Sequence, residues 1–247
     1  MMKPYLTIIL LVLGTLLFKL AQASETSIKL QQAHIYPSDK ASLQRGAKLF
    51  MNYCSGCHSL QYMRYQRIAE DLGINEKLLK ENLIFSAAKP GDPVESALLS
   101  TDAKNWFGVV PPDLTLIAKI RGVNWLYTFL HGFYQDENRP WGTNNILFPE
   151  VAMPHVLAPL QGIQTYSPLK PEQPQPILQL KQPGLLTARE YDQAINDLVN
   201  FLAYTAAPEK LKRQYLGMGV LLFLAIFAIL TYLLKREYWK KINQRSL

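Results

Sequence analysis

The sequence predicts a mainly α-helical protein, with one exported domain that carries long loops and one membrane-spanning helix near the C-terminus. Three patterns lead to this prediction. Apolar residues recur at helical steps in two segments of the 247-residue chain. An uncharged apolar run lies close to the C-terminus, and proline-rich stretches separate the helical segments.

The N-terminal residues 1–23 have the pattern of a secretory signal peptide. Lys3 gives a basic start, residues 6–18 are almost entirely apolar, and a small-x-small cleavage site ends at Ala23. Lys19 interrupts the apolar run, and the features of a transit peptide are missing. We therefore predict a cleaved bacterial export signal, with a retained N-terminal anchor as the alternative.

A helix is predicted immediately before the two cysteines of the chain. Ser38 can cap this helix. Its apolar positions recur at three- and four-residue steps, at Leu43, Ala47, Phe50 and Met51. Such a helix would lead directly into Cys54.

The motif Cys54-Ser55-Gly56-Cys57-His58 contains both cysteines. This spacing is typical of covalent c-type haem attachment, because the two thiols can reach the two vinyl-derived carbons on one porphyrin edge. The imidazole of His58 then lies where it can bind the iron. We therefore predict one haem c, held by Cys54 and Cys57 in a cytochrome c-like haem domain.

Three other uses of these cysteines are less consistent with the sequence. A redox-active Cys-x-x-Cys would be expected beside a βαβ pattern. A zinc site would need about four ligands, and the remaining histidines, His34, His131 and His155, show no paired spacing. A disulfide across two residues would be strained and would give His58 no role.

The sixth iron ligand is predicted by elimination among the six methionines. Five of them lie in the signal peptide, in the apolar C-terminal run or beside the attachment motif. Met153 remains, 95 residues after His58, and Pro154 favours extended backbone there. A packed core methionine stays open, as does ligation by His155 or His131, which would lower the reduction potential.

Two further features fit the walls of a haem crevice. Pro111 and Pro112 open an apolar segment, and their rings can wall the porphyrin, but an ordinary proline-initiated helix has the same pattern. Arg121 follows, and a guanidinium is suited to the carboxylates of haem propionates.

A proline-rich stretch occupies residues 167–184. Pro168, Pro171 and Pro174 recur at every third position with polar residues between them. This composition favours extended, polyproline-like backbone in a surface loop, with a docking segment for a partner as the alternative.

The last helix of the exported domain is predicted to begin at a capping box formed by Thr187 and Glu190. An apolar stripe at three- and four-residue steps follows, and Pro208 ends the helix.

Residues 209–235 are predicted to form the membrane anchor. The run from Leu216 to Leu234 carries no charge and is long enough to cross a bilayer. Basic residues flank it on both sides, with the larger number after it. This asymmetry places residues 236–247 in the cytoplasm and the haem domain, residues 24–208, in the periplasm.

The charge distribution argues against nucleic-acid binding. The net charge is +7, but the signal peptide contributes two lysines and the tail after Leu234 has five basic residues against Glu237. The exported domain is therefore close to neutral, whereas a nucleic-acid site needs a basic patch on a folded domain.

In this order the motifs resemble the cytochrome c1 family, the haem subunits of quinol–cytochrome c oxidoreductase (respiratory complex III). The residues that carry the resemblance are Arg45-Gly46, Cys54 to Ser59 with Tyr62 and Tyr65, Pro111-Pro112-Asp113-Leu114, Met153-Pro154-His155, Phe201 to Pro208, and Lys235-Arg236-Glu237-Tyr238-Trp239. Cys-x-x-Cys-His alone is common to many cytochromes. The ordered set with a C-terminal anchor is specific.

The resemblance implies that His58 and Met153 ligate the iron, that Arg121 contacts a propionate, and that Trp125 or Tyr127 lies near the haem. It implies single-electron transfer from the Rieske iron–sulfur protein to a soluble or tethered cytochrome c in respiration. The partners would be a cytochrome b subunit and the lipid bilayer, in a dimeric complex of the bacterial inner membrane, with no catalytic acid, base or nucleophile in this chain.

Two other functions remain as alternatives. One is a membrane-tethered periplasmic cytochrome that delivers electrons to a terminal oxidase outside complex III. The other is a tethered thiol–disulfide oxidoreductase or small-molecule sensor, which would use the Cys-x-x-Cys motif differently.

Overall fold

Helices dominate the computed structural model, which describes residues 28–167 and 177–245. The helices in these ranges are α1 (Lys40–Tyr53), α2 (Tyr65–Leu72), α3 (Glu76–Asn82), α4 (Ser100–Phe107), α5 (Ile117–Ile120), α6 (Val123–His131), α7 (Ala158–Gln161), α8 (Ala188–Ala206) and α9 (Lys210–Arg245). The strands are β1 (Leu60–Arg64), β2 (Pro93–Val94), β3 (Phe133–Gln135), β4 (Thr143–Asn145), β5 (Gly162–Ser167) and β6 (Ile177–Pro183). They form three separate antiparallel pairs, β1–β2, β3–β4 and β5–β6.

The predicted mainly α class is confirmed. The predicted signal peptide lies outside the described residues.

The core of the domain that precedes α9 is built on the contact between α1 and α8. The rings of Phe50 and Phe201 lie 5.9 Å apart at its centre. A Cβ atom at Gly46 would lie 2.1 Å from the carbonyl oxygen of Asp197, so only glycine permits this approach of the helices. Beside it, the Arg45 guanidinium donates to both carboxylate oxygens of Asp197, at 2.6 and 2.9 Å. The two helices are therefore fixed in register by packing and by a forked ion pair.

Helix α1 begins one residue later than predicted. Its N-cap is Asp39 rather than Ser38, and the Asp39 carboxylate accepts from the Ser42 amide at 3.1 Å. A carboxylate satisfies a free helix N–H group and also favours the positive end of the helix dipole. The predicted apolar stripe of α1 is buried as expected.

Helix α8 confirms the prediction at both of its ends. The Thr187 hydroxyl and the Glu190 carboxylate form a reciprocal capping box, and the helix ends at Ala206, two residues before Pro208. Close to this end, the Tyr204 hydroxyl donates to Asp71 at 2.8 Å. Helix α2 is thereby attached to the C-terminal end of α8.

The N-terminal segment of the described chain lies across α6 and α8 without regular structure. Its backbone N–H groups donate to side chains of those helices: Gln31 to Thr128, Ala33 to Asn124 and His34 to Asn196. These bonds satisfy backbone donors that an isolated extended segment would leave to water.

The proline-rich stretch is not a loop over its full length, which corrects the prediction for residues 177–183. These residues form β6, which pairs with β5 from Gly162 opposite Pro183 to Ser167 opposite Ile177. Extended backbone suits a strand as well as a polyproline segment, and the partner strand supplies the hydrogen bonds that decide between them. Pro183 lies at the end of the strand, where its missing N–H is tolerated. The tip, residues 168–176, lies outside the described residues.

Helix α9 is the one helix in the described ranges that is long and apolar enough to cross a membrane. Its 36 residues correspond to about 54 Å at about 1.5 Å per residue. The helix passes the predicted boundary at residue 235 and continues to Arg245, because no glycine or proline interrupts that segment. At its start, Arg67 of α2 pairs with both Asp71 and Glu209, which links the preceding domain to the N-terminal end of α9.

Candidate haem site

The attachment motif forms a tight turn at the C-terminal end of α1. The Cys54 amide donates to Phe50 O at 2.8 Å, and the amides of Cys57 and His58 both donate to Cys54 O, at 3.0 and 2.8 Å. Cys54 packs against the core, whereas Cys57 is exposed. One continued helical turn therefore presents both thiols and the imidazole of His58.

The imidazole of His58 is held by a backbone carbonyl. Its Nδ1 lies 2.8 Å from the carbonyl oxygen of Pro112. A carbonyl can only accept, so Nδ1 carries the proton and Nε2 keeps a free lone pair. Burial lowers the pKa of His58, against smaller opposite effects of the Pro112 bond and Asp113. The ring is therefore neutral and oriented as a metal ligand requires.

The segment that supplies this carbonyl is fixed to the chain that follows the motif. The Asp113 carboxylate accepts from the Gln61 amide at 2.8 Å and from the Thr115 amide at 2.9 Å. The Leu114 amide donates to Ser59 O at 2.9 Å. These bonds set the position of the Pro112 carbonyl relative to His58.

Pro111 and Pro112 occupy different positions, which bears on their predicted role as haem walls. Pro111 lines a cleft of about 230 Å³ together with Cys57, Val110 and Leu98. Pro112 is exposed, and its contact with the site is through its carbonyl oxygen rather than its ring. The geometry is thus compatible with a wall at Pro111 and gives Pro112 a role that its sequence pattern did not predict.

A second polar contact holds the attachment turn from the side of β2. The Ser96 hydroxyl donates to Gly56 O at 2.8 Å, and the Ser96 amide donates to the Ser59 hydroxyl at 2.9 Å. Sequence reasoning missed Ser96, since a lone serine in a loop gives no signal of a partner 40 residues away.

The two thiols are not activated as nucleophiles. Burial raises the pKa of Cys54 to about 12, with a smaller contribution from Cys57, and burial also raises the pKa of Cys57. Redox-active Cys-x-x-Cys motifs instead have lowered thiol pKa values. The site therefore does not resemble a thiol–disulfide oxidoreductase.

The residues present fit a covalently attached haem. Two thiols and an imidazole with a free Nε2 are the donor set of c-type attachment. Large apolar side chains beside the predicted site residues are exposed, as Val110 next to Pro111, Ile120 next to Arg121, and Phe148. A porphyrin would cover such side chains, which water otherwise contacts at a cost in free energy.

Met153 lies half-buried in the loop between β4 and α7. Met51 and Met63 are each 3% exposed and belong to the hydrophobic core, in agreement with their elimination as ligands.

The two alternative histidine ligands differ in their surroundings. His131 is the last residue of α6, and its ring faces α8, with Nδ1 2.9 Å from Tyr127 O and Nε2 3.8 Å from Asp192, so both of its nitrogens face other groups. His155 stacks on Phe133 at 4.8 Å, and its buried Nε2 has no hydrogen-bond partner among the described residues. His155 is therefore the stronger of the two alternatives.

Trp125 lies on the side of α6 that faces Arg121, a residue between α5 and α6, and Tyr127 lies on the other side. The Cζ atom of Arg121 is 5.0 Å from the ring centre of Trp125 and 5.9 Å from that of Phe148. The Tyr127 hydroxyl instead donates to Asp192 of α8. Residues two apart on a helix point in different directions, so Trp125, not Tyr127, shares its surroundings with Arg121.

Comparison with known proteins agrees with this geometry. Residues 31–242 match the cytochrome C1 family. The chain is 52% identical to cytochrome c1 of Allochromatium vinosum over 219 residues, which cover 87% of this chain and 90% of that protein. It is 47% identical to the ammonia monooxygenase gamma subunit of Nitrosomonas europaea over 223 residues, covering 90% and 93% of the two chains. It is 28% identical to cytochrome c1 of Rhodospirillum rubrum over 234 residues, covering 83% of each. The chain therefore belongs to the cytochrome c1 family, whose members are membrane-anchored electron-transfer subunits of complex III with a covalently bound c-type haem.

Proposed function

We propose that this chain takes single electrons from the Rieske iron–sulfur protein and passes them to a soluble or tethered cytochrome c, as the haem subunit of ubiquinol–cytochrome c reductase. The observation that supports this most strongly is the His58 imidazole, fixed through Nδ1 to Pro112 O at 2.8 Å on the same turn as both thiols. One attachment motif corresponds to one haem.

In this proposal Cys54 and Cys57 form the thioether bonds, His58 is the proximal ligand through Nε2, and Met153 is the sixth ligand. A bound haem c supplies a one-electron couple between Fe(II) and Fe(III). The residues of this chain hold the imidazole in one tautomer and one orientation, and the Met153 thioether would supply the second axial donor and leave no open site for water. A neutral imidazole and a thioether favour a higher reduction potential than two imidazoles.

Three further residues are proposed to contact the haem. Arg121 pairs with no carboxylate among the residues that the structure describes, and it lies over two aromatic rings, so its guanidinium remains available to a propionate. Trp125 shares that surface and is proposed as the aromatic residue beside the haem. Pro111, which lines the cleft next to Cys57, is proposed as a wall.

The distribution of charge around the anchor supports a proposed topology. We propose a cleaved signal peptide, a periplasmic haem domain, one crossing of the bacterial inner membrane by α9 and a cytoplasmic basic tail. Lys210, Lys212 and Arg213 precede the apolar run and Lys235, Arg236, Lys240, Lys241 and Arg245 follow it. The larger number on the C-terminal side supports this orientation.

A cytochrome b subunit is proposed as the neighbour in the membrane, in a dimeric complex. A relative from Bradyrhizobium diazoefficiens, named cytochrome b/c1, is 26% identical over 239 residues, which cover 81% of this chain and 33% of that protein. Its name places both cytochromes in one chain, which supports their association here.

Purification in mild detergent, followed by subunit identification, tests the proposal. We expect this chain to copurify with a multi-span cytochrome b and a Rieske protein, and to retain haem stain on a denaturing gel. The double variant Cys54→Ser/Cys57→Ser, compared with Ser55→Ala in the same turn, is expected to lose both thioether bonds and therefore the stain. Copurification with a terminal oxidase, without cytochrome b or the Rieske protein, would instead support the tethered-shuttle alternative.

A further inference from the structure

The loop that carries Met153 leaves strand β4 at Asn145 and reaches helix α7 at Ala158. Two adjacent asparagines at its start are buried: Asn144 is 8% exposed and Asn145 is 0% exposed. Burying an amide costs free energy unless its donors and acceptors find partners. The partners of these two side chains therefore show which parts of the chain they hold together.

Asn145 folds the beginning of the loop and fastens it to α6. Its Oδ1 accepts from the amides of Leu147 and Phe148, at 2.9 and 3.2 Å. Its Nδ2 donates to Phe129 O in α6 at 2.7 Å. Through the Phe148 amide, Asn145 also fixes the residue whose ring lies under Arg121.

Asn144 fixes a point closer to Met153. Its Oδ1 accepts from the amides of Glu150 and Asn145, at 2.8 and 2.9 Å, and its Nδ2 donates to the Asp136 carboxylate at 3.0 Å. The carbonyl oxygen of Glu150 accepts from the Arg139 guanidinium at 2.8 Å. Both backbone polar groups of Glu150 are thus held by side chains of the β3–β4 hairpin.

Glu150 has a φ of +62°, the one positive φ at a non-glycine position among the described residues. This conformation is unfavourable for a residue with a side chain and persists where the surroundings impose it. Glu150 lies three residues before Met153, so the chain between them spans about 10 Å at most. A change in the conformation of Glu150 therefore redirects the short stretch of chain that leads to Met153.

We infer that Asn144 and Asn145 are positioning residues for the sixth iron ligand, and that they set the reduction potential by holding the Met153 loop in place. The inference rests on the proposed role of Met153. A loop without regular structure opens locally more easily than a helix or strand, and opening would remove the thioether from the iron. The two buried amides oppose this opening, because it would leave their polar atoms without partners.

A reciprocal exchange of side chains tests the inference. Asn144→Asp keeps an oxygen for the Glu150 amide but places a second carboxylate against Asp136. We expect this variant to lose the sulfur-to-iron charge-transfer band of the oxidised protein, to shift to a lower potential, and to bind carbon monoxide when reduced. The double variant Asn144→Asp/Asp136→Asn again places one amide donor opposite one carboxylate acceptor. We expect it to regain the charge-transfer band and the wild-type potential, and not to bind carbon monoxide when reduced.

Asn75→Ala is the matched control, since Asn75 also uses its Oδ1 to hold an amide, that of Leu78 in α3, at 2.9 Å. We expect its potential to equal that of the wild type. The inference is wrong if Asn144→Asp keeps the wild-type band and potential at full haem content, or if the double variant recovers neither.

Arg139→Gln provides a milder measurement if Asn144→Asp does not accumulate. It removes the contact with Glu150 O and leaves both asparagines in place. Because the loss of a positive charge lowers a nearby potential by itself, the readout here is the charge-transfer band. A weakened band supports the inference that the Glu150 backbone is held for Met153, and an unchanged band contradicts it. A wild-type protein that lacks the charge-transfer band would contradict the ligand role of Met153 itself, which separates that failure from a failure of the asparagines.

Discussion

The Nδ1 atom of His58 donates to the carbonyl oxygen of Pro112 over 2.8 Å. The acceptor belongs to the backbone, so its position depends on the fold of the 111–115 segment and not on the proline ring. Asp113 holds this segment through the amides of Gln61 and Thr115. The orientation of the proposed iron ligand is thus set by a carboxylate that does not touch the imidazole.

The first prediction concerns Asp113. Asp113→Ala removes two hydrogen bonds to a charged acceptor, which should destabilise the protein by about 2 kcal/mol and let the Pro112 carbonyl move away from His58. We expect a lower melting temperature and an altered haem spectrum. Pro112→Ala is the control, since it retains the carbonyl and should keep the spectrum. An altered spectrum in the control alone would contradict this reasoning.

The second prediction compares two glycines of α1 and the attachment turn. Gly46→Ala would place a Cβ atom 2.1 Å from Asp197 O, and a backbone atom in a packed helix cannot move far enough to make room. We expect a loss of about 3 kcal/mol or more, measured as poor accumulation or a reduced melting temperature. A Cβ atom at Gly56 meets nothing within 4 Å, so Gly56→Ala should be close to wild type. Equal effects of the two substitutions would contradict the helix contact described above.

The third prediction is a dependence of stability on pH. Burial lowers the pKa of His131 from 6.5 to about 4. The unfolded chain therefore binds a proton that the folded domain excludes, so the stabilisation is complete above about pH 6.5 and is lost as the pH falls towards 4. We expect a loss of roughly 2–3 kcal/mol across this window.

His131→Phe removes the imidazole whose protonation causes the expected loss of stability between about pH 6.5 and pH 4. The melting temperature of this variant should fall less between pH 7.5 and pH 4.5 than that of the wild type. A variant with the wild-type pH profile would show that other groups cause the effect.

The fourth prediction separates the two aromatic candidates of α6. Trp125→Leu removes the ring beneath Arg121, which lies 5.0 Å from it, and should change the haem spectrum or potential. Tyr127→Phe removes the hydrogen bond to Asp192 and should cost about 1 kcal/mol of stability, with the spectrum unchanged. The opposite pattern, a changed spectrum in Tyr127→Phe alone, would mean that Tyr127 lies at the haem.

Features with local signals were predictable from the sequence. The capping box of α8 uses residues three apart, the apolar stripe of α1 repeats at helical steps, and the attachment motif spans five consecutive residues. In each case neighbours in the chain determine the structure. The N-cap of α1 was wrong by one residue because Ser38 and Asp39 are both good caps.

Features that depend on distant parts of the chain were not predictable. Strand β6 needs β5 as a partner, and the His58–Pro112 bond joins residues 54 positions apart. Asn144 and Asn145 carry no local signal of a special role, which follows instead from their burial and from the hydrogen bond between Asn144 and the Glu150 amide. Such contacts form when the tertiary structure brings the groups together, and a single sequence carries no mark of them.

The most direct test of the account is an equilibrium redox titration of the purified complex, combined with oxidised spectra, for the wild type and Met153→Leu. With His58 and Met153 as ligands, we expect the wild type to show the sulfur-to-iron band. Met153→Leu should lose that band and shift to a lower potential while its haem stays covalently bound. A methionine-ligated spectrum with an unchanged potential in Met153→Leu would contradict the account.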